Sequence, residues 1–454
     1  MTWFARHAPT WLALVVAGTF LNTALAEKPK ALTSDDCVRI ALSQSAVLDE
    51  ANARVEAIKG KLAEVESIFY PKLTGIAYIA PMYSVRGNAM DNSSIETSYS
   101  RLSDWGPYTH LQAILAQPLT TFGRAGANER AVEHLIQVEK ARVRAAEHIL
   151  ALEVRKLYYA HLFSVSLRPA LRNVIKVVKQ AREHATKEYE SAQGSVTQID
   201  LTKIDYAGNE AYRYQHQSNY AATMTMAALK HTMGMPASTP IIIAEKRLPR
   251  IKSHPNLELP RLIMEASENR PEWSQLSHGE KAALAWKDAE ALSSMPTLFL
   301  AGTIESDWTP MRDDSKNPYH YDPYNGLTAG IAMGLQFNFD PWHSVARANQ
   351  ADAKHAEVSA MRRFAETGIP LQVKQSYEDF QLQRELEELS RSSVKSARKW
   401  MTFAASAFAT GTGPARDVLE GVAAYSKAKF THYESLFNYY VAEASLYHSL
   451  GRDP

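Results

Sequence analysis

The chain has 454 residues, with 50 Lys and Arg against 49 Asp and Glu for a formal charge of +1. So even a balance gives no bulk attraction to nucleic acid, and a single cysteine, Cys37, excludes an intrachain disulfide. The length allows two or three ordinary domains, and the 20 Gly and 21 Pro are clustered, leaving long stretches free for helix.

Arg6 and His7 precede an apolar run from Trp11 to Phe20, and Ala24-Leu25-Ala26 then offers a small-x-small cleavage site before Glu27. This pattern predicts a secretory signal over residues 1–26. The run is short of the roughly 20 apolar residues that a spanning helix needs. Cys37 follows Ser34-Asp35-Asp36, which is not the small, apolar context of a lipoprotein cysteine, so no lipid anchor is expected. An exported chain without another apolar helix is periplasmic, secreted, or embedded as β-strands.

Residues 33–68 carry apolar positions near helical spacing without proline, and Thr33 or Ser34 can cap the start. Tyr70-Pro71 ends that pattern, and 73–85 reads as a strand weakened by Pro81. In 107–118 the alternation is cleaner, with Leu111, Ala113 and Leu115 on one face and His110 and Gln112 on the other. Residues 124–233 read as a helical hairpin turned at Gly194, with a kink or break expected at Pro169. Six prolines between 236 and 271 mark a linker over 236–270. The same order then returns: a helix from Pro271, a stop at Met295-Pro296, strands at 297–308 and 327–339, and a hairpin over 345–450 interrupted at Gly368-Ile369-Pro370.

The two halves also share spacing. Gly194, Asp200 and Gly234 recur as Gly411, Asp417 and Gly451, with steps of six and 34 residues in both. A repeat of this size sets the organisation: a first copy over 27–235, a linker, and a second over 271–454. The fold class expected is α+β, mostly α, with long helical hairpins and four strands per chain. Four strands cannot close a membrane barrel, because an open edge in lipid leaves backbone groups unpaired. If they enter a membrane, several chains must share one barrel.

On these residues the chain resembles the TolC-type outer-membrane efflux proteins, the exit ducts of tripartite pumps and type I secretion systems. The resemblance rests on Phe69-Tyr70-Pro71-Lys72-Leu73 and Met295-Pro296-Thr297-Leu298, on Gln117-Pro118-Leu119 through Gly123-Arg124, on Arg270-Pro271-Glu272, and on the two Gly-to-Asp turns. It implies a homotrimer with one twelve-stranded barrel above a periplasmic helical barrel. It implies as partners outer-membrane lipid, a periplasmic membrane-fusion adaptor and an inner-membrane transporter. The linker would lie in the belt around the tube. The chain stops three residues after Gly451, so the C-terminal part of that belt is expected to be minimal.

Asp417 and Glu420 lie one helical turn apart on one face. The resemblance implies that they constrict the closed periplasmic entrance; capping of a helix start is the plainer role for acidic residues there. Asp200 holds the matching place in the first copy. The resemblance implies a polar link between neighbouring hairpins, with Arg416 or Lys203 as the basic partner, because Gly413 stands where the family has a base. Capping is again the plainer reading. Gly194, Gly411 and Gly413 read as turn formers tolerant of positive φ, and the resemblance implies adaptor contact at these tips.

Trp105, Tyr108, Trp308, Tyr319, Tyr321, Tyr324, Phe337, Phe339 and Trp342 crowd the strand ends, either as interfacial girdles or as an aromatic core; the polar loops beside them favour girdles. The 15 His show no zinc-protease spacing and no Cys-His cluster, and there is no phosphate loop or nucleophile elbow. No metal, no cofactor and no enzymatic activity are expected. The function expected is a passive exit duct. The second reading is an exported coiled-coil scaffold without a barrel, which would have no need of two strand pairs at matching places.

Overall fold

A computed structural model describes residues 31–87, 94–191, 196–251, 257–313, 322–410 and 412–452. The expected signal, Gly194, Gly411, Tyr319 and Tyr321 lie outside the described residues. The chain is mostly helical, with one long antiparallel sheet.

It opens with a short strand β1 (Ala31–Leu32), then α1 (Ser34–Gln44) and α2 (Ala46–Glu66). Strand β2 (Lys72–Arg86), a short β3 (Glu96–Ser98) and β4 (Trp105–Thr120) follow. Helix α3 (Arg124–Glu190) runs 67 residues, about 100 Å at 1.5 Å per residue, and α4 (Gln198–Thr232) runs back over 35. After β5 (Ile242–Ile243) come α5 (Leu259–Asn269), α6 (Pro271–Ala291), β6 (Thr297–Trp308) and β7 (Gly326–Gln336). Helix α7 (Pro341–Ala409) has 69 residues and α8 (Ala415–Ser449) has 35.

Three elements differ from the sequence reading. The helix expected over 33–68 breaks at Ser45, which is extended (φ −76, ψ 124). Apolar spacing runs through both pieces, so the pattern alone does not show the break. A remote glycine packs against it. Gly234, in the left-handed region at φ +72, brings its backbone so close that a Cβ there would sit 2.3 Å from the carbonyl oxygen of Gln44. Gly451 repeats this at φ +67, where a Cβ would sit 2.8 Å from the Arg270 nitrogen, at the break between α5 and α6. The glycine that closes each hairpin is therefore docked on the joint between two short helices.

The proline-rich stretch is not all linker, since α5 lies in it. Pro260 sits in the first turn of α5, where the missing N–H has no helical partner in any case. Nor do Pro169 and Pro370 break their helices, since α3 and α7 run through them. An interior proline costs about 3 kcal/mol, and packing offsets it. Beside Pro169 the Ser218 hydroxyl of α4 donates to the Ser164 carbonyl at 2.8 Å, and Ser166 Oγ accepts from the Leu248 N–H at 2.9 Å. Beside Pro370, Ile369 and Val373 are buried in the cluster formed with α5 and α8.

Two core clusters hold the middle of the molecule. One joins Cys37, Val38 and Ala41 of α1 to Val154, Tyr158 and Leu162 of α3 and Leu229 of α4. The other joins Leu262 and Ala266 of α5 to Val373 and Phe380 of α7 and Tyr439 and Leu446 of α8. Tyr158 Oη lies 3.2 Å from the Leu32 carbonyl, and Tyr377 Oη donates to the Leu257 carbonyl at 3.4 Å, so each long helix ties down the segment before its short helix. Cys37 is fully buried, and burial pushes its thiol up to about 12, which leaves it an inert packing group.

Replacing Gly234 or Gly451 by Ala combines a strained φ with a backbone clash. Each change is expected to destabilise its junction by about 1–3 kcal/mol or more and to lower the thermal midpoint followed by circular dichroism. A midpoint equal to wild type in both variants would refute the docking role.

Candidate functional site

The long strands pair in the order β2-β4-β6-β7, all antiparallel, with β3 covering only Ser84–Arg86 of β2. The register sorts the side chains onto two faces. Leu73 opposes Leu115, Leu111 opposes Ser306, Ala113 opposes Ile304, Gly302 opposes Ile331, and Leu298 opposes Leu335. Following alternate residues, this face carries Leu73, Ile79, Leu111, Leu115, Ile304, Leu327, Ile331 and Met333, with no charged residue from any of the four strands. All of the strands' charges, Lys72, Arg86, Glu305 and Asp307, fall on the other face with His110 and Gln112. The 12 residues of β6 span about 40 Å at 3.3 Å each, enough to cross an apolar band about 25 Å tall with tilt.

Aromatic residues sit at both ends of the apolar face. Trp105 pairs with Tyr83, packs edge-on against it at 5.9 Å, and donates from Nε1 to the Tyr99 carbonyl at 3.2 Å. Trp308 marks the same end of β6, while Phe337, Phe339 and Trp342 are exposed at the helix end of β7. Tyr108 and Tyr324 do not belong to that set. The Tyr108 hydroxyl donates to Asp307 on the polar face, and Tyr324 packs edge-on against Tyr108 at 5.6 Å and under the Arg312 guanidinium at 4.6 Å.

The polar face holds one constellation that local spacing in the sequence does not reveal. Pairing of β4 with β6 sets His110 opposite Asp307 and Gln112 opposite Glu305. His110 Nδ1 lies 2.8 Å from Asp307 Oδ1 and 3.8 Å from Glu305 Oε1. His110 and Asp307 are both buried. The signal was present as alternation, since the His and both carboxylates fall at polar positions of their strands. Finding the cluster needed the register between strands 197 residues apart.

At the far end of the helices the two acidic turns differ. Thr197 caps α4: its Oγ1 accepts from the Asp200 N–H at 3.3 Å, and Asp200 Oδ2 accepts from the Thr197 N–H at 3.1 Å. This is a reciprocal capping box. The hydrogen bonds from Thr197 hold the Asp200 carboxyl below its usual range, and Lys203 Nζ stands 3.9 Å away. Helix α8 instead starts after Pro414, which has no side-chain acceptor. Asp417 and Glu420 are exposed. Arg416, a candidate partner for Asp200, reaches Glu420 on its own helix at 2.8 Å. Among the described residues, no hydrogen bond or ion pair reaches the Asp417 carboxylate.

Gly413 is required for space rather than for positive φ, since a Cβ there would lie 2.9 Å from the Ala407 Cβ. The two hairpins touch along their length: Tyr159 stacks on Tyr440 at 4.5 Å, Phe163 on Phe437 at 5.5 Å, and Leu419 packs on the cluster of Val178, Leu201 and Ile204.

Residues 262–452 match the family described as "Outer membrane efflux protein". That match covers the second half of the chain. Its fold is that of the outer-membrane channel OprN, at TM-score 0.75 and 15% identity over 92% of this chain and 89% of that one. The outer membrane channel CmeC of Campylobacter jejuni gives 0.74 and 14% over 92% and 85%. In sequence, Protein CyaE of Bordetella pertussis (strain Tohama I) is 22% identical over 362 residues, 78% of this chain and 70% of that protein. Among the described residues no helix is long and apolar enough to cross a membrane.

The capping box gives a pH test. A depressed carboxylate contributes stability that is complete above its unfolded value of about 4 and is lost as pH falls through the lowered folded value. Amide exchange in residues 198–204 is therefore expected to speed up only below about pH 4, and Thr197→Ala should speed it by about 0.5–2 kcal/mol of local opening at neutral pH. Exchange at neutral pH that ignores Thr197→Ala would refute the cap.

Proposed function

We propose that this chain is the outer-membrane exit duct of an efflux or type I secretion system, a passive conduit from an inner-membrane transporter and its periplasmic adaptor to the exterior. Three chains close one twelve-stranded barrel, and their helices form a tube across the periplasm. The carrying observation is the sheet: one face without charge, every charge on the other, and long edges on β2 and β7 left open. In lipid those edges must be paired, and a neighbouring chain's β2 meeting β7 does so. Rows of exposed apolar residues on α7, including Phe364, Leu371, Leu389 and Phe403, support the same assembly, because a neighbouring helix would cover them.

Within this reading the chain is two copies of one unit, and the helical tips at the turns after α3 and α7 are the periplasmic entrance and the adaptor's landing site. The polar face lines the lumen. Asp417 and Glu420 form stacked acidic rings at the entrance, and Asp200 serves its own helix rather than a latch. Opening is a shift of neighbouring hairpins between two packed arrangements. No step requires covalent chemistry from this chain.

Two measurements test this. Ile331→Arg puts a charge on the apolar face, at about 2–4 kcal/mol near the membrane midplane, and should abolish the heat-modifiable oligomer in the outer-membrane fraction. Thr303→Arg on the polar face should leave that oligomer intact. Equal behaviour of the two, or a wild-type protein fully soluble without detergent, would sink the duct. For the gate, Asp417→Ala with Glu420→Ala is expected to raise single-channel conductance in planar bilayers and weaken block by divalent cations. Unchanged conductance and block would remove both residues from the entrance.

A further inference from the structure

We propose that His110, Glu305 and Asp307 form a binding site for a divalent transition-metal ion on the polar face of the sheet. The argument starts from spacing. A zinc ion held at about 2.0 Å by tetrahedral donors puts those donors about 3.3 Å apart. Here His110 Nδ1 is 2.8 Å from the Asp307 oxygen and 3.8 Å from the Glu305 oxygen, so the donors bracket that value. All three ligand atoms lie within 4.8 Å of one another. Small side-chain adjustments seat an ion among them.

The surrounding groups orient the donors. The Tyr108 hydroxyl donates to Asp307, Gln112 Nε2 donates to Glu305 Oε2 at 3.4 Å, and the Tyr78 ring lies 4.8 Å from the His110 ring, tilted 30°. Such partners fix ligand orientation in built metal sites. The charge is suited as well. Two carboxylates face one imidazole, and among the described residues no Lys or Arg pairs with either carboxylate. The strands hold all three residues on paired, rigid backbone rather than on loops.

Imidazole with carboxylates suits zinc, nickel or cobalt, whereas magnesium and calcium take oxygen ligands. Three protein ligands leave a fourth position to water. The place of the site in a lumen rests on the duct reading. Asp307 lies one residue from the outer end of β6, so a trimer would carry three such sites near the outer mouth, far from the acidic entrance at the helical tips.

The test uses the detergent-solubilised oligomer. Titration with zinc chloride by calorimetry, and with cobalt chloride by visible absorption, should show a site of about one ion per chain with a nitrogen ligand. His110→Gln and Asp307→Asn should each weaken it by about tenfold or more, with the oligomer intact on gels, whereas millimolar magnesium should not compete. Zinc affinity equal to wild type in both variants, or displacement by magnesium, would overturn the proposal and show only a hydrogen-bonded His–Asp pair. Zinc added at the outer side of a planar bilayer should reduce current through wild type but not through His110→Gln. Binding in solution with no effect on current would keep the metal site and overturn its place in a lumen.

Discussion

A backbone that enters lipid must hydrogen-bond every N–H and C=O within protein, and four strands cannot do so alone. Strand β7 has one partner, β6, and β2 has β4 along its length with β3 only at its outer end. Each long edge therefore needs a second chain. Much else depends on that requirement. The strands run almost directly into the long helices, from Thr120 to Arg124 and from Gln336 to Pro341. In the proposed assembly, closing the sheet between chains would also bring their helices side by side and cover the apolar rows of α7.

The alternation of charge with face is what makes the sheet fit for that environment. A soluble antiparallel sheet commonly has one face on a core and one in water. Here the apolar face has no core beneath it, and Leu73, Ile331 and Met333 stand exposed. The polar face is where His110 and Asp307 are buried. The pattern is inverted relative to a water-soluble sheet, with apolar residues outward and polar residues inward, as a barrel in lipid requires.

Much of this was legible from spacing. Alternation in 107–118, the proline stops at Pro71 and Pro296, and the paired Gly-to-Asp turns all point to the elements that form. What local pattern does not carry is any feature set by a distant partner. The break at Ser45 is the place where Gly234 docks, and its neighbours keep helical spacing across it. Pro169 and Pro370 read as interruptions because the serines and core residues that offset them come from α4, α5, α8 and the linker. His110, Glu305 and Asp307 show no ligand spacing because the register of β4 on β6 brings them together. Tyr108 stands at a strand end like the girdle aromatics, although its place in the alternation puts it with His110 on the polar face.

The two returning helices begin in different ways. Both place an aspartate at the third residue of the returning helix. In the first, Thr197 precedes it, so the carboxylate closes a capping box and is held by its own backbone. In the second, Pro414 takes the cap position and offers no hydroxyl, so Asp417 is not drawn back onto its helix. The same aspartate then points its charge outward, with Glu420 one turn further on and partly offset by Arg416. One residue of difference before the helix, Thr in place of Pro, decides whether the acid closes a capping box or stays exposed. That difference, rather than the presence of the acids themselves, is what distinguishes the second hairpin's start from the first.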